Sequence, residues 1–154
     1  MSCSSAQGIA LGCRLSKLPA QVHAVNVQHT PETYYASIRE ESEALGATLE
    51  REGPVEDWLE IHHGEGAGYA RTGPEELGFI RDVAAASGVV LDQVYTGKAL
   101  YHFCEHAKAD PEKYRGKRIL FWHTGGLLGL YAAQEQLSPL MPTNQVELLK
   151  VPRM

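Results

Sequence analysis

The chain has 154 residues, 44% of them hydrophobic, enough for one ordinary domain with a real core and too short to promise two. Its 14 basic and 19 acidic residues give a net charge of -5. There is no basic stripe or run of like charge, so a nucleic-acid partner has no electrostatic footprint, and no window reaches the apolar length of a bilayer crossing, so no membrane partner is expected.

Cys3, Cys13 and Cys104 are odd in number and lack paired spacing, which suggests neither a disulfide framework nor a zinc ribbon and points to a reducing compartment. No acidic residue precedes Glu32, and Ser2, Ser4, Ser5, Arg14, Ser16 and Lys17 give a composition that a transit peptide would share. Only Arg14 and Lys17 are basic there, so an internal helix of the fold is the preferred reading. A cytoplasmic location is expected, or a mitochondrial or plastid matrix if a targeting segment lies upstream.

In chain order, Ala6 to Lys17 reads as a short helix capped by Ser4 or Ser5. Val22–Val27 alternates small or β-branched residues with polar ones and reads as a strand. Thr30-Pro31-Glu32 opens a helix expected to run to about Arg51, with Gly53-Pro54 ending it. Trp58 to His62 reads as a second strand, leading into the glycine-rich loop Gly64 to Tyr69. A helix follows from Thr72-Gly73-Pro74 to about Ala86, with Leu77, Ile80, Val83 and Ala84 on one face and Gly88 ending it. A short extended piece, Val89 to Val94, precedes a helix from Thr96-Gly97 to about Ala109, which Asp110-Pro111 breaks. Arg118 to Trp122 reads as a buried strand and Gly126 to about Gln136 as a helix. The expected organisation is one domain over 1–141 and a tail over 142–154. Strand and helix alternate without hairpin dipeptides, so the expected fold is α/β with a parallel, doubly wound sheet.

Ligands of such sheets sit beyond the carboxyl ends of the strands, where Tyr69, Thr96 and Thr124 are expected to fall. Thr96-Gly97 and Thr124-Gly125-Gly126 each set hydroxyl and glycine residues at a helix start, where backbone N–H groups collect around an anion or heterocycle; plain strand-to-helix turns remain an equal reading. Tyr69 and Tyr95 stand beside glycine or threonine in these loops, placed to stack on a ligand ring or exchange a proton, although a tyrosine at the rim of a core reads the same way. Lys98, in the first turn of its helix, reads as a solvated lysine rather than a Schiff-base amine. His102 and His106 share a helical face, but Cys104 points elsewhere and no third ligand has an obvious position, so no metal is expected. No Ser/His/Asp set and no Gly-Lys-Ser/Thr phosphate loop is present.

From about Leu11 to Met141 the chain resembles the C-terminal half of the D-cysteine desulfhydrase and aminocyclopropane-carboxylate deaminase family. The resemblance rests on Val94-Tyr95-Thr96-Gly97-Lys98, on His123-Thr124-Gly125-Gly126-Leu127-Leu128-Gly129-Leu130-Tyr131, and on Gly68-Tyr69-Ala70 at the place of the family's active-site tyrosine loop. It implies part of the large domain of a pyridoxal-phosphate enzyme of the tryptophan synthase β-like fold, called fold type II. The deaminase branch tends to carry Glu where Thr96 stands and Leu where Thr124 stands, so both residues resemble the desulfhydrase branch.

The resemblance further implies Thr124 and Gly125 at the pyridine nitrogen, Thr96 beside them, and Tyr69 and Tyr95 around a small amino-acid substrate. Ser5 and Gly8 match the family's phosphate loop, in which Cys3 and Ser4 replace glycines, and Gln93 replaces a usual proline. The implied reaction removes a Cα proton from D-cysteine and expels hydrosulfide, leaving an aminoacrylate that becomes pyruvate and ammonia. Family members carry the lysine of the internal aldimine in an N-terminal half that the matched stretch lacks. Turnover is therefore expected only within a longer gene product or when a longer chain complements this one, and a homodimer is a further possible assembly. The alternatives are a non-catalytic assembly protein that keeps the family sheet, an aminocyclopropane-carboxylate deaminase-like activity, or a truncated gene product without a role of its own.

Overall fold

A computed structural model describes residues 4–45 and 52–140. The proposed tail over 142–154, residues 1–3 of the expected phosphate loop and the stretch 46–51 lie outside the described residues.

Helix α1, Ser4–Leu15, leads through a short loop into strand β1, Val22–Asn26. Helix α2, Pro31–Ala44, crosses over to strand β2, Leu59–His63. The two strands pair in parallel, with Val22 opposite Leu59 and Asn26 opposite His63. Helices α3, Pro74–Ser87, and α4, Thr96–Ala109, follow, then the single turn α5, Pro111–Tyr114. A 3₁₀ stretch over Leu127–Ala133 passes into the short α6, Gln134–Leu137.

Strand alternation gives the sheet two unlike faces. Ala24, Leu59 and Ile61 pack with Ala10 and Leu11 of α1, Tyr34 and Ile38 of α2, and Val55 and Trp58, forming the main core. His23 and His62 face the other way, with Phe103 of α4 edge-on to both rings. Helices thus cover both faces, the arrangement that parallel pairing demands because each crossover lays a helix on the sheet. At the free edge of β2, the Tyr35 hydroxyl accepts from Ile61 N–H at 2.9 Å and donates to Leu59 O at 3.2 Å, occupying backbone groups that no strand pairs with among the described residues.

Local signals account for the helix ends. Pro31 fills the first turn of α2, and Tyr34, Ile38 and Ser42 recur at the spacing of one buried face. Glu76 Oε2 accepts from Gly73 N–H at 2.7 Å at the start of α3, and Gly88, at φ 73°, closes it in the left-handed conformation.

Three expectations need correction. Arg118 to Trp122 forms no strand: Leu120 is 80% and Trp122 62% exposed, because an apolar run becomes a strand only when it pairs with an edge, and among the described residues this one pairs with none. Val89 to Val94 is likewise unpaired, with turn geometry from Gln93 onward imposed by the Asp92 carboxylate. The helix expected from Gly126 begins instead as the 3₁₀ stretch, since Gly126 lies at φ 98° and Gly129 N–H bonds back to Gly126 O.

Candidate functional site

The carboxyl ends of β1 and β2 hold the loops from which the site is built. The buried Asn26 side chain accepts from the N–H groups of Gln28 and His29, turning the chain sharply after β1. Gly64 N–H then donates to Asn26 O at 2.8 Å, and a Cβ on Gly64 would stand 2.3 Å from Val25 Cγ1, so only glycine lets the loop leave β2 this closely.

Asp92 organises the turn before α4. Its Oδ1 accepts from Val94 N–H at 2.9 Å and Tyr95 N–H at 2.7 Å, and its Oδ2 accepts from Thr96 N–H at 2.8 Å. The Thr96 hydroxyl donates to Oδ2 at 2.6 Å and accepts from Asp92 N–H at 2.9 Å. One buried carboxylate therefore satisfies the N–H groups of Val94 and Tyr95 ahead of α4 and of Thr96, its first residue, and the Thr96 hydroxyl points at it. The second turn lies against the same group, because a Cβ on Gly126 would fall 2.5 Å from Asp92 Oδ2. Gln93 Nε2 donates to Gly129 O at 2.7 Å, while Gln93 O accepts from the Thr72 hydroxyl at 2.7 Å. Asp92 and Gln93 thereby draw together the Thr96 turn, the Thr124–Gly126 turn and the loop before α3.

Thr124 is exposed at the end of this assembly. Gly125 N–H donates to His123 Nδ1 at 3.1 Å, which leaves the ring proton on Nε2, facing Val90 O at 2.9 Å. The Gly125 donor is thus turned inward. Tyr69 and Tyr95 meet directly, hydroxyl to hydroxyl at 2.5 Å, with both rings about two-fifths exposed. The hydrogen bond with Tyr69, ahead of burial, holds the Tyr95 phenol above the ordinary tyrosine range.

The sequence reading of Lys98 as a solvated helix lysine is overturned: its side chain has no exposure at all. Its Nζ donates to Glu65 O at 2.5 Å and Gly68 O at 3.0 Å and stands 3.8 Å from Glu76 Oε1. Burial pushes the amine below its usual range, while Glu76 and Glu65 hold it up. A lysine in the first turn of α4 reaches solvent only when nothing lies over that turn, and here the Gly64–Tyr69 loop does. Lys98 ties that loop down by its carbonyls and so places Tyr69 beside Tyr95. Glu76 also bonds His102 at 3.0 Å, which explains where one of the α4 histidines is engaged.

Ser5 and Gly8 sit inside the first turns of α1, both exposed, and a Cβ on Gly8 would meet nothing within 4 Å. Among the described residues neither makes a hydrogen bond outside the backbone of α1, so the structure does not join them to Tyr69, Tyr95, Thr96 or Thr124 as it joins those turns to each other. Asp92 and Glu76 escaped sequence reasoning as site residues, and Lys98 entered it only as a solvated lysine. Glu76, three residues after Gly73, and Asp92, ahead of a helix-starting threonine, carried signals that capping rules could have found.

No protein-family model matches the chain. Over 134 residues it is 42% identical to the bifunctional D-cysteine desulfhydrase/1-aminocyclopropane-1-carboxylate deaminase of Arabidopsis thaliana, a protein named as mitochondrial, the match taking in 87% of this chain. A solved structure described as an ACC deaminase homologue superposes with a TM-score of 0.71 at 28% identity, covering 89% of this chain and 41% of that one. The chain belongs to the D-cysteine desulfhydrase and ACC deaminase family. The family is pyridoxal-phosphate dependent and of the tryptophan synthase β-like fold, so the parallel α/β expectation holds. The chain spans about a third of the Arabidopsis relative, 32% of its length.

The family's cofactor needs an amine for its aldehyde, converging donors for its phosphate and a wall for its ring. Among the described residues neither a free amine nor a phosphate cradle stands beside the Thr96 and Thr124 turns. Lys98 is enclosed by two carbonyls and a carboxylate, and among the described residues no lysine bonds to Tyr69, Tyr95, Thr96 or Thr124. Ser5 and Gly8 form no donor cradle. By themselves these residues do not fit pyridoxal phosphate.

Proposed function

We propose that this chain contributes one wall of a D-cysteine desulfhydrase-type lyase site, the rest being supplied by further polypeptide, and that it does not turn over substrate alone. The observation that carries this reading is the convergence of the Thr96 and Thr124–Gly126 turns on Asp92, with the Tyr69–Tyr95 hydroxyl pair beside them. The chemistry of the wall supports the choice: Thr124 offers a hydroxyl and no carboxylate at the position proposed for the ring nitrogen, which leaves the ring a milder electron sink suited to elimination. Tyr69 and Tyr95 present a shared phenolic proton on the open side, placed for a small amino-acid substrate. The family's names also support an aminocyclopropane-carboxylate deaminase, and a parallel assay separates the two.

The reaction assigned to the completed site converts D-cysteine and water to pyruvate, hydrogen sulfide and ammonia. The test combines the purified chain with the remaining portion of the Arabidopsis relative. Sulfide release from D-cysteine is expected in the mixture, absent from either component, and lost by at least about tenfold with Tyr69→Phe. Borohydride reduction of the chain alone with pyridoxal phosphate is expected to give no lysine adduct by mass. A stoichiometric adduct on Lys98, or sulfide release by the chain alone, overturns the reading.

A further inference from the structure

The α4-facing side of the sheet carries side chains that the Thr96 and Thr124 site does not use. Parallel register sets His23 opposite Glu60, and His62 follows Glu60 by two residues, so strand alternation brings all three to one face. A sheet face covered by a helix ordinarily carries apolar residues, yet here the side chains of His23, Glu60 and His62 are only 19%, 34% and 7% exposed. Among the described residues this is the group whose ligand-type atoms all lie within 4.8 Å of one another.

The distances have the scale of a coordination shell. His23 Nδ1 lies 2.9 Å from His62 Nε2 and 3.6 Å from Glu60 Oε2, and His62 Nε2 lies 3.7 Å from Glu60 Oε1. A tetrahedral ion with bonds of about 2.0–2.2 Å keeps its ligand atoms roughly 3.3–3.6 Å apart, the scale of these separations. Glu60, which now turns one oxygen to each ring, needs only a rotation of its carboxylate to offer a single oxygen to the ion. We propose that His23, Glu60 and His62 bind a divalent transition-metal ion of the Zn²⁺ class, with two imidazoles and one carboxylate as ligands and water in a fourth position.

The surroundings suit that role. Phe103 packs edge-on against both imidazoles, and His106 holds its ring centroid 4.6 Å from that of His62, so the ligand rings are fixed from the α4 side. Lys113 of α5 now pairs with Glu60, and as a partly exposed side chain it can swing into water when an ion takes its place. The bound ion would add a side-chain tie between β1 and β2 at mid-strand, on top of the backbone ladder and in place of the His23–His62 hydrogen bond.

The test titrates Co²⁺ into the metal-free full chain and follows the visible d–d absorption of a four-coordinate site, with Zn²⁺ as competitor. One equivalent is expected to bind, with His62→Gln and His23→Gln each weakening affinity by about tenfold or more and the Cys13→Ser/Cys104→Ser double variant leaving it unchanged. Lys113→Met, at a site where loss of folding is not at issue, is expected to tighten binding several-fold by removing the competing cation. No tetrahedral Co²⁺ spectrum, binding that survives both histidine substitutions, or binding abolished by the cysteine variant would each overturn the proposal.

Discussion

Tyr69 and Tyr95 meet at 2.5 Å, and this contact makes one phenol report on the other. Because the Tyr69 hydrogen bond is the largest influence raising the Tyr95 ionisation, Tyr69→Phe is expected to bring it down toward the ordinary value near 10. The sign is fixed: the raised value keeps Tyr95 protonated to higher pH, and the variant releases its proton earlier as pH rises. Carbon-13 NMR of the tyrosine Cζ atoms measures it, and an unchanged Tyr95 titration contradicts the pairing. Thr96, Thr124, Tyr69 and Tyr95 stand out as candidates in a linear sequence because hydroxyl and aromatic residues near glycine are conspicuous there, and the structure brings the two threonine turns together at Asp92 and the two tyrosines into contact. Lys98 and Glu76 do not stand out there as site residues, since their meaning lies in a loop folded over them, and an isolated charge on a helix reads as solvated until its cover is known.

At the level of elements, glycines whose backbone carries the fold separate from those that merely occupy a helix. Gly126 combines φ 98° with a would-be Cβ 2.5 Å from Asp92 Oδ2, so Gly126→Ala is expected to cost about 1–3 kcal/mol in urea unfolding. Gly8 lies within α1 in open space, so Gly8→Ala is expected to be neutral or to stabilise by up to about 1 kcal/mol. Equal effects at the two positions would mean that the Gly126 turn is not held against Asp92. Helix ends marked by Thr30-Pro31, Gly73-Pro74 and Gly88 were readable because a cap is a local event. The Arg118 to Trp122 strand was misread for the converse reason: hydrophobicity announces burial, but a strand exists only through the edge it bonds to.

At the scale of the whole molecule, much of the exposed apolar surface among the described residues lies late in the chain. Ile119, Leu120, Trp122, Leu127, Leu128 and Tyr131 are each more than half exposed, Leu128 reaching 82%. Such a patch is expected to bind anilinonaphthalene sulfonate in the native state, and Leu120→Glu with Leu128→Glu should remove most of that fluorescence while shifting the unfolding midpoint little. Dye fluorescence that persists in the double variant would assign the exposed surface elsewhere. The α/β class followed from the alternating rhythm of the sequence, whereas the sheet's extent did not, because the described strands number two and further strands were inferred from composition.

Parallel pairing of Val22 with Leu59 has a consequence for the chain's birth. The hydrogen-bonding groups that β1 offers β2 have no hairpin neighbour to receive them, and they wait until the whole α2 crossover and then Leu59 have left the ribosome. A nascent chain halted before that point holds amphipathic helices with nothing to close over, a species for chaperones and proteases to handle. Translation that slows after β2, in contrast, gives the first core time to set before the apolar stretch at Ile119 arrives.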